Sequence, residues 1–139
     1  MAELPNDSVL VRTWFGDDRA WEELVTQVQT PSRDGFLAGV RCIDERAFEG
    51  LTADALKAEQ PHGPIVTFIA DRTTLTGVDH PIMAVWVLPP IADDDRPAPT
   101  PFRVVPSELW SVENNINLSN MDWEDFAGSV DADGVFRGF

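Results

Sequence analysis

Acidic residues follow three predicted strands of this chain at the point where each strand ends. Asp17 and Asp18 follow the strand predicted over 8–15, Asp44 and Glu45 the strand over 36–43, and Asp71 the strand over 65–70. In an open α/β sheet, ligands bind outside the carboxyl ends of the strands, so parallel strands would gather these acids at one edge. Carboxylate oxygens are ligands that suit Mg²⁺. The pattern therefore predicts a metal site at Asp17, Asp18 and Asp71, with Mg²⁺ as the candidate ion.

This order of acids is similar to that of phosphoacceptor receiver domains, which have an acidic pair after the first strand and an aspartate after the third. A receiver also has a lysine at the end of its last parallel strand, whereas Lys57, the only lysine here, lies in a predicted helix. The alternative is structural, because aspartate is a preferred helix N-cap. In that interpretation Asp17 or Asp18 and Asp44 cap helices, and Asp71 is a turn residue.

The sequence offers little support for other catalytic chemistry. His62 and His80 fall in predicted loops, and neither has metal-ligand spacing to another histidine or to the single cysteine, Cys42. Cys42 lies in a predicted strand, where we expect an inert core thiol rather than a nucleophile. Neither a G-x-S-x-G turn nor a glycine-rich phosphate loop is present. We therefore predict no catalytic residues and no organic cofactor.

A second candidate site lies at "SELWSVENNINLSNMDWEDF", residues 107–126. Two predicted helices meet in this stretch, the first capped by Ser107 and the second by Asp122. Tryptophan and asparagine side chains exposed at such a junction would form a protein-contact surface, because aromatic residues dominate interface energetics. In the structural alternative, the asparagines only end one helix and the apolar residues belong to the core. The candidate interface residues are Trp110, Asn114, Asn117 and Trp123.

The net charge of the chain excludes some classes of binding partner and favours others. The 139 residues include 10 basic and 24 acidic ones, which gives a formal charge of −14. Such a field repels phosphate backbones and anionic lipid headgroups, so we expect binding neither to nucleic acid nor to membranes. It suits a basic protein partner, a cation, or solubility alone. Self-association through the aromatic C-terminal segment is compatible with each of these.

Several features predict a cytoplasmic protein. A lone cysteine cannot form an internal disulfide, which suits a reducing compartment. The start of the chain, "MAELPNDS", lacks the basic and apolar regions of a signal peptide. The longest apolar runs, such as residues 82–88, are far shorter than the roughly 20 residues that a spanning helix needs.

The order of predicted elements indicates a single α/β domain over residues 1–139. Strands and helices alternate as β-α-β-α-β, with Thr52 capping the second helix, and two further strands and two C-terminal helices follow. Alternation favours parallel strands joined by right-handed crossovers. We therefore predict a mixed, mostly parallel sheet of about five strands with helices packed on it. Residues 89–101, rich in proline and aspartate, are expected to form an exposed loop that lets the last two strands pair as a hairpin.

Four strings resemble an uncharacterised family of small acidic proteins from high-GC bacteria, defined only as a domain of unknown function. They are "ADRTTL", "FRVVPSELWSVENN", "NMDWEDFA" and the terminal "DGVFRGF". The resemblance covers nearly the whole chain and implies a free-standing cytoplasmic single-domain protein. It implies no activity and no catalytic residues.

The sequence is compatible with two functions from different classes. The first is a non-enzymatic acidic protein-binding module, comparable by analogy with small acidic inhibitors and immunity proteins, in which complementary potential steers association. The alternative is a divalent-metal-dependent acidic site at the carboxyl edge of the sheet, related to a degenerate receiver or to phosphate chemistry.

Overall fold

A computed structural model of the chain describes residues 3–89 and 99–139. Its strands are β1 (Val9–Arg12), β2 (Arg41–Ile43), β3 (Val66–Ala70), β4 (Ile82–Trp86), β5 (Phe102–Val104) and β6 (Val135–Phe136). Its α-helices are α1 (Asp18–Val28), α2 (Ala53–Glu59), α3 (Arg72–Thr76), α4 (Leu109–Asn117) and α5 (Trp123–Ala127). Short 3-10 helices cover Arg46–Phe48 and Pro106–Glu108.

The strands form one mixed sheet in the order β2-β1-β3-β4-β5-β6. β1 pairs in parallel with β2 and β3, and β5 pairs in parallel with β6. β4 runs antiparallel to both β3 and β5. The prediction of one α/β domain with a mixed, mostly parallel sheet is confirmed, with six strands described where about five were expected. β4 and β5 pair as the predicted hairpin.

The sheet separates two hydrophobic clusters. Every residue of β1 and of β3 is buried, as expected for strands covered on both faces. Leu10 and Phe68 point into the larger cluster with residues of α1, α4 and α5. Val11 and Ile69 point into a smaller cluster with Phe48 and with Leu56 of α2. Alternate strand residues thus serve opposite layers, because successive side chains of a strand point to opposite faces.

Local signals form α1, α2 and α5 as predicted, whereas Ser107 lies within a 3-10 helix and does not cap α4, so that prediction was wrong. The side chain of Asp17 caps α1 by accepting a hydrogen bond from the backbone N–H of Ala20 at 3.1 Å. Thr52 caps α2 in the same way. The carboxylate of Asp125 accepts from the N–H of Asp122 at the start of α5, at 2.9 Å. These contacts satisfy N–H groups that the first turn of a helix leaves free.

Some boundaries differ from the predictions. Residues 72–76 form helix α3, which the sequence did not predict. Asp71 caps this helix and is therefore not simply a turn residue. The strand predicted over 36–43 pairs only over Arg41–Ile43, because β1 begins at Val9 and offers earlier residues no partner. β6 was not predicted at all. The predicted loop over 89–101 lies mostly outside the described residues. In the described ranges, no helix is long and apolar enough to cross a membrane.

Candidate functional site

The most distinctive surface of the molecule is built on residues 36–43, here called the edge segment, which end in the outermost strand β2. Ala38, Val40 and Cys42 are half-buried and pack against the larger hydrophobic cluster, whereas Leu37, Gly39 and Arg41, which alternate with them, are exposed. This two-residue alternation is that of an extended chain. The edge segment therefore continues the direction of β2 beyond the point where β1 stops pairing with it.

Side chains of helix α4 bind backbone groups of the edge segment at positions where β1 does not pair with it. The amide of Asn114 donates to the carbonyl oxygen of Leu37 at 3.3 Å. The carboxylate of Glu113 accepts from the backbone N–H of Gly39. Two residues further on, the N–H of Arg41 donates to the carbonyl oxygen of Ser8 at 3.1 Å. Side chains of α4 thus bind two inward backbone groups of the edge segment, the carbonyl of Leu37 and the N–H of Gly39, where a strand would otherwise bind them.

An aromatic stack marks the beginning of the edge segment. The rings of Phe36 and Trp110 lie 4.6 Å apart between centroids with an interplanar angle of 11°. Phe36 is 50% exposed, and the neighbouring Leu37 is 48% exposed. Of the predicted interface residues, Trp110 and Asn114 therefore lie at this surface, together with two apolar residues that the sequence had placed in a strand.

Glu113 is an acid on the buried face of α4. It is 6% exposed, and the amide of Asn117 donates to its Oε2 at 3.5 Å. Burial raises the pKa of the Glu113 carboxyl, and the hydrogen bonds from Asn117 and Gly39 oppose this rise. Glu113 is not among the site residues predicted from the sequence. Its spacing from Leu109, Val112 and Ile116, which share the apolar face, was the available signal.

Asn117 and Trp123 have structural positions apart from the exposed stack. Asn117 Oδ1 accepts from the N–H groups of Ile65 and Val66, at 3.1 and 3.0 Å, and so closes the start of β3. Trp123 is 5% exposed and meets Phe102 edge-to-face, with ring centroids 4.7 Å apart. Within the described part of the chain, Asn117 therefore stabilises the start of β3, and Trp123 belongs to the hydrophobic core.

Two of the acids at the carboxyl edge share one arginine. Arg12, at the end of β1, has a side chain only 3% exposed. Its Nη2 donates to Asp18 at 2.7 Å and its Nη1 to Asp44 at 3.2 Å. Its Nε donates to the carbonyl oxygen of Trp14 at 3.0 Å. The guanidinium lies 4.4 Å from the ring centre of Phe15. Because a buried guanidinium must be paired, Asp18 and Asp44 neutralise Arg12.

The remaining predicted metal ligands have partners of their own. Asp17 caps α1, and Asp71 forms a two-point ion pair with Arg103. The structure therefore distributes Asp17, Asp18 and Asp71 over a helix cap and two arginine pairs. Across residues 3–89 and 99–139, no three His, Cys, Asp or Glu side chains are grouped so that they could hold a metal ion. The Mg²⁺ site stays a prediction.

Three clefts border the edge segment and its continuation. One of about 600 Å³ lies beside Asp44 and Arg46, one of about 460 Å³ beside Gly39 to Arg41, and one of about 510 Å³ beside Phe36 and Ala38. Each cleft is lined by one more carboxylate than guanidinium. The additional carboxylate of the cleft beside Gly39 to Arg41 is the buried Glu113, so the exposed acidic excess lies in the other two clefts.

Comparison with known families matches residues 7–139 to a domain of unknown function, DUF6924. No curated protein sequence matches the chain. The family match agrees with the resemblance carried by the four strings above.

Proposed function

The chain belongs to the DUF6924 family, and we propose that this member is a non-enzymatic module that binds a basic protein partner in the cytoplasm. The observation that carries the proposal is the stack of Phe36 on Trp110, half-exposed at the start of the edge segment. Aromatic side chains are enriched among the residues that dominate protein–protein affinity. Their exposure next to Leu37 supports a contact surface.

Net charge determines the class of partner that we propose. The chain carries −14, so a second copy is repelled at long range and a basic protein is attracted. Complementary potential raises the association rate and rejects partners of like charge. The carboxylate excess in the cleft beside Phe36 and Ala38 extends this preference to the contact surface itself.

The proposal can be tested with matched surface variants. Phe36→Ser combined with Leu37→Ser removes the apolar part of the surface without touching the core. Val78→Ser is the control, because Val78 is 99% exposed and lies outside the edge segment. Immobilised wild-type and variant proteins would be compared for capture of proteins from cell extract at low and high salt, and each captured protein would be purified and its direct binding measured by calorimetry.

The expected result is a basic protein that binds wild type and the Val78→Ser variant equally. Its affinity for the double variant should fall by about tenfold or more, which corresponds to loss of apolar contacts of an ordinary interface. Its affinity should also fall as salt rises, because salt screens exposed charges. A partner whose purified form binds the double variant as tightly as wild type would overturn the proposal.

A further inference from the structure

We infer that the partner contributes an extended segment that adds to the sheet as a new outer strand beside Ala38, Val40 and Cys42. This inference rests on the proposed function and names its mode of contact. Strand addition to an open sheet edge is a recurring form of peptide recognition, in which backbone hydrogen bonds give affinity and side-chain pockets give specificity.

One set of backbone N–H and C=O groups of β2 points away from the sheet. Along each strand of a parallel pair, residues alternate. The backbone N–H and C=O of one residue bond to the neighbouring strand, and those of the next residue point away from it. Since the N–H of Arg41 donates to Ser8, the groups of Val40 and Cys42 face outward. β2 is the terminal strand of the sheet, and Ala38 and Val40 form no backbone hydrogen bond within the described residues. Such a row of free donors and acceptors is a template for another strand.

An inward backbone group is paired at each of three alternate residues of the edge segment, and this asymmetry favours binding. Leu37, Gly39 and Arg41 are held by Asn114, Glu113 and Ser8 respectively. Alternate residues are therefore fixed in place while the residues between them stay free on their outer side. A partner strand meets a segment that is already ordered, which lowers the entropic cost of association.

The clefts indicate the side chains that the added strand would present. Successive side chains of a strand point to opposite faces, and a cleft lies on the edge segment at Phe36 and Ala38 and another at Gly39 to Arg41. The cleft at Phe36 and Ala38 has an excess of one carboxylate and contains the exposed aromatic stack, whereas in the other cleft the buried Glu113 accounts for the excess. The structure thus favours an extended segment with lysine or arginine and apolar residues, rather than a second copy of a chain that carries −14.

The experiment uses a displayed library of random peptides about ten residues long, the upper end of ordinary strand length. Peptides would be selected on the wild-type protein at about 0.15 M salt, where exposed charges further apart than roughly 8 Å are largely screened. The tightest binder would be synthesised in two further forms, N-methylated at odd or at even residues. In a strand, one set of methyl groups faces the edge of β2 and the other faces solvent, so each form is the control for the other.

We expect a basic peptide that contains apolar residues. One methylated form should lose about tenfold or more in affinity, because several backbone hydrogen bonds are blocked at once, while the other form binds as the parent does. Amide exchange measured by NMR should slow at Val40 and Cys42 when the peptide binds. Amides of Arg41 and Ile43 face β1 and should be protected with or without peptide.

The outcomes separate this inference from the proposed function. A peptide that depends on Phe36 and Leu37, but binds equally in both methylated forms and leaves Val40 and Cys42 unprotected, would overturn strand addition and leave the proposed binding surface standing. If selection yields no basic peptide that depends on the surface, both proposals fail. A wild-type dimer in sedimentation equilibrium that Val40→Pro dissociates would identify a second copy as the occupant and overturn the basic partner.

Discussion

The carboxylate of Asp71 and the guanidinium of Arg103 form a two-point ion pair, with Nη1–Oδ1 and Nη2–Oδ2 distances of 2.9 and 2.8 Å. Asp71 follows β3 and caps α3, whereas Arg103 is in β5, and β4 lies between these two strands. Arg103 also donates to the carbonyl oxygen of Pro81, just before β4. One side chain therefore ties three neighbouring strands together at their ends.

Removing the charge of Asp71 should destabilise the fold in a pH-dependent way. We expect Asp71→Asn to lower the free energy of unfolding by about 2 kcal/mol at pH 7, because Arg103 keeps its charge without a counterion. Burial alone would raise the pKa of the Asp71 carboxyl, but hydrogen bonds from Arg103 and Thr74 and the charge of Arg103 hold it below 3.8. The stabilisation is therefore present above pH 3.8 and is lost as pH falls through the folded-state pKa.

Urea denaturation between pH 7 and pH 3 measures this difference. Asp54→Asn is the control, since its side chain is 97% exposed and the change should stay within about 0.5 kcal/mol. If the Asp71→Asn variant is as stable as wild type at neutral pH, the ion pair contributes nothing to the free energy of unfolding.

Substitutions of two asparagines in residues 107–126 should have very different effects on the free energy of unfolding. Asn117→Ala should lower the free energy of unfolding by about 2 kcal/mol, because the N–H groups of Ile65 and Val66 lose their acceptor at the start of β3. Asn120→Ala should change it by less than about 0.5 kcal/mol, because Asn120 is exposed. Chemical denaturation followed by circular dichroism compares the two variants. Equal effects would argue against a structural role for Asn117.

Glu113 should make stability depend on pH in the opposite sense to Asp71. Burial raises the pKa of its carboxyl, so the folded state holds a proton that the unfolded state has released, and stability falls as pH rises towards the folded-state pKa. Glu113→Gln lacks this titration and keeps an acceptor for the N–H of Gly39. The stability of the variant relative to wild type should therefore increase between pH 4 and pH 7, as measured by denaturation at each pH. A constant difference over that range would contradict the assignment.

Millimolar Mg²⁺ should leave the melting temperature unchanged. A cation that binds only the folded state must raise it, but Asp18 and Asp71 would first have to release Arg12 and Arg103. Thermal melting with and without the ion, starting from protein treated with chelator, provides the measurement. A rise that disappears in the Asp18→Asn, Asp71→Asn double variant would establish the metal site that the sequence predicted.

Much of the fold was predictable because its signals are local. The caps at Asp17 and Thr52 depend on residues within one turn of the helix, and the structure confirms them. Helix α3 was missed because it has only five residues, RTTLT, too few for an apolar period to show. Its cap at Asp71 appears only when the contact with Thr74 is seen.

The sequence by itself determined the class of this protein: an acidic α/β domain whose strands and helices follow from periodicity and capping, both of which are local. Tertiary structure alone decided that Asp44 and Asp71 pair with arginines, because Arg12 and Arg103 each lie 32 residues from the carboxylate concerned. It also decided where the exposed surface lies. Asn114 reaches Leu37 across 77 residues of sequence, and no local pattern encodes a contact that only the packing of α4 beside the edge segment creates.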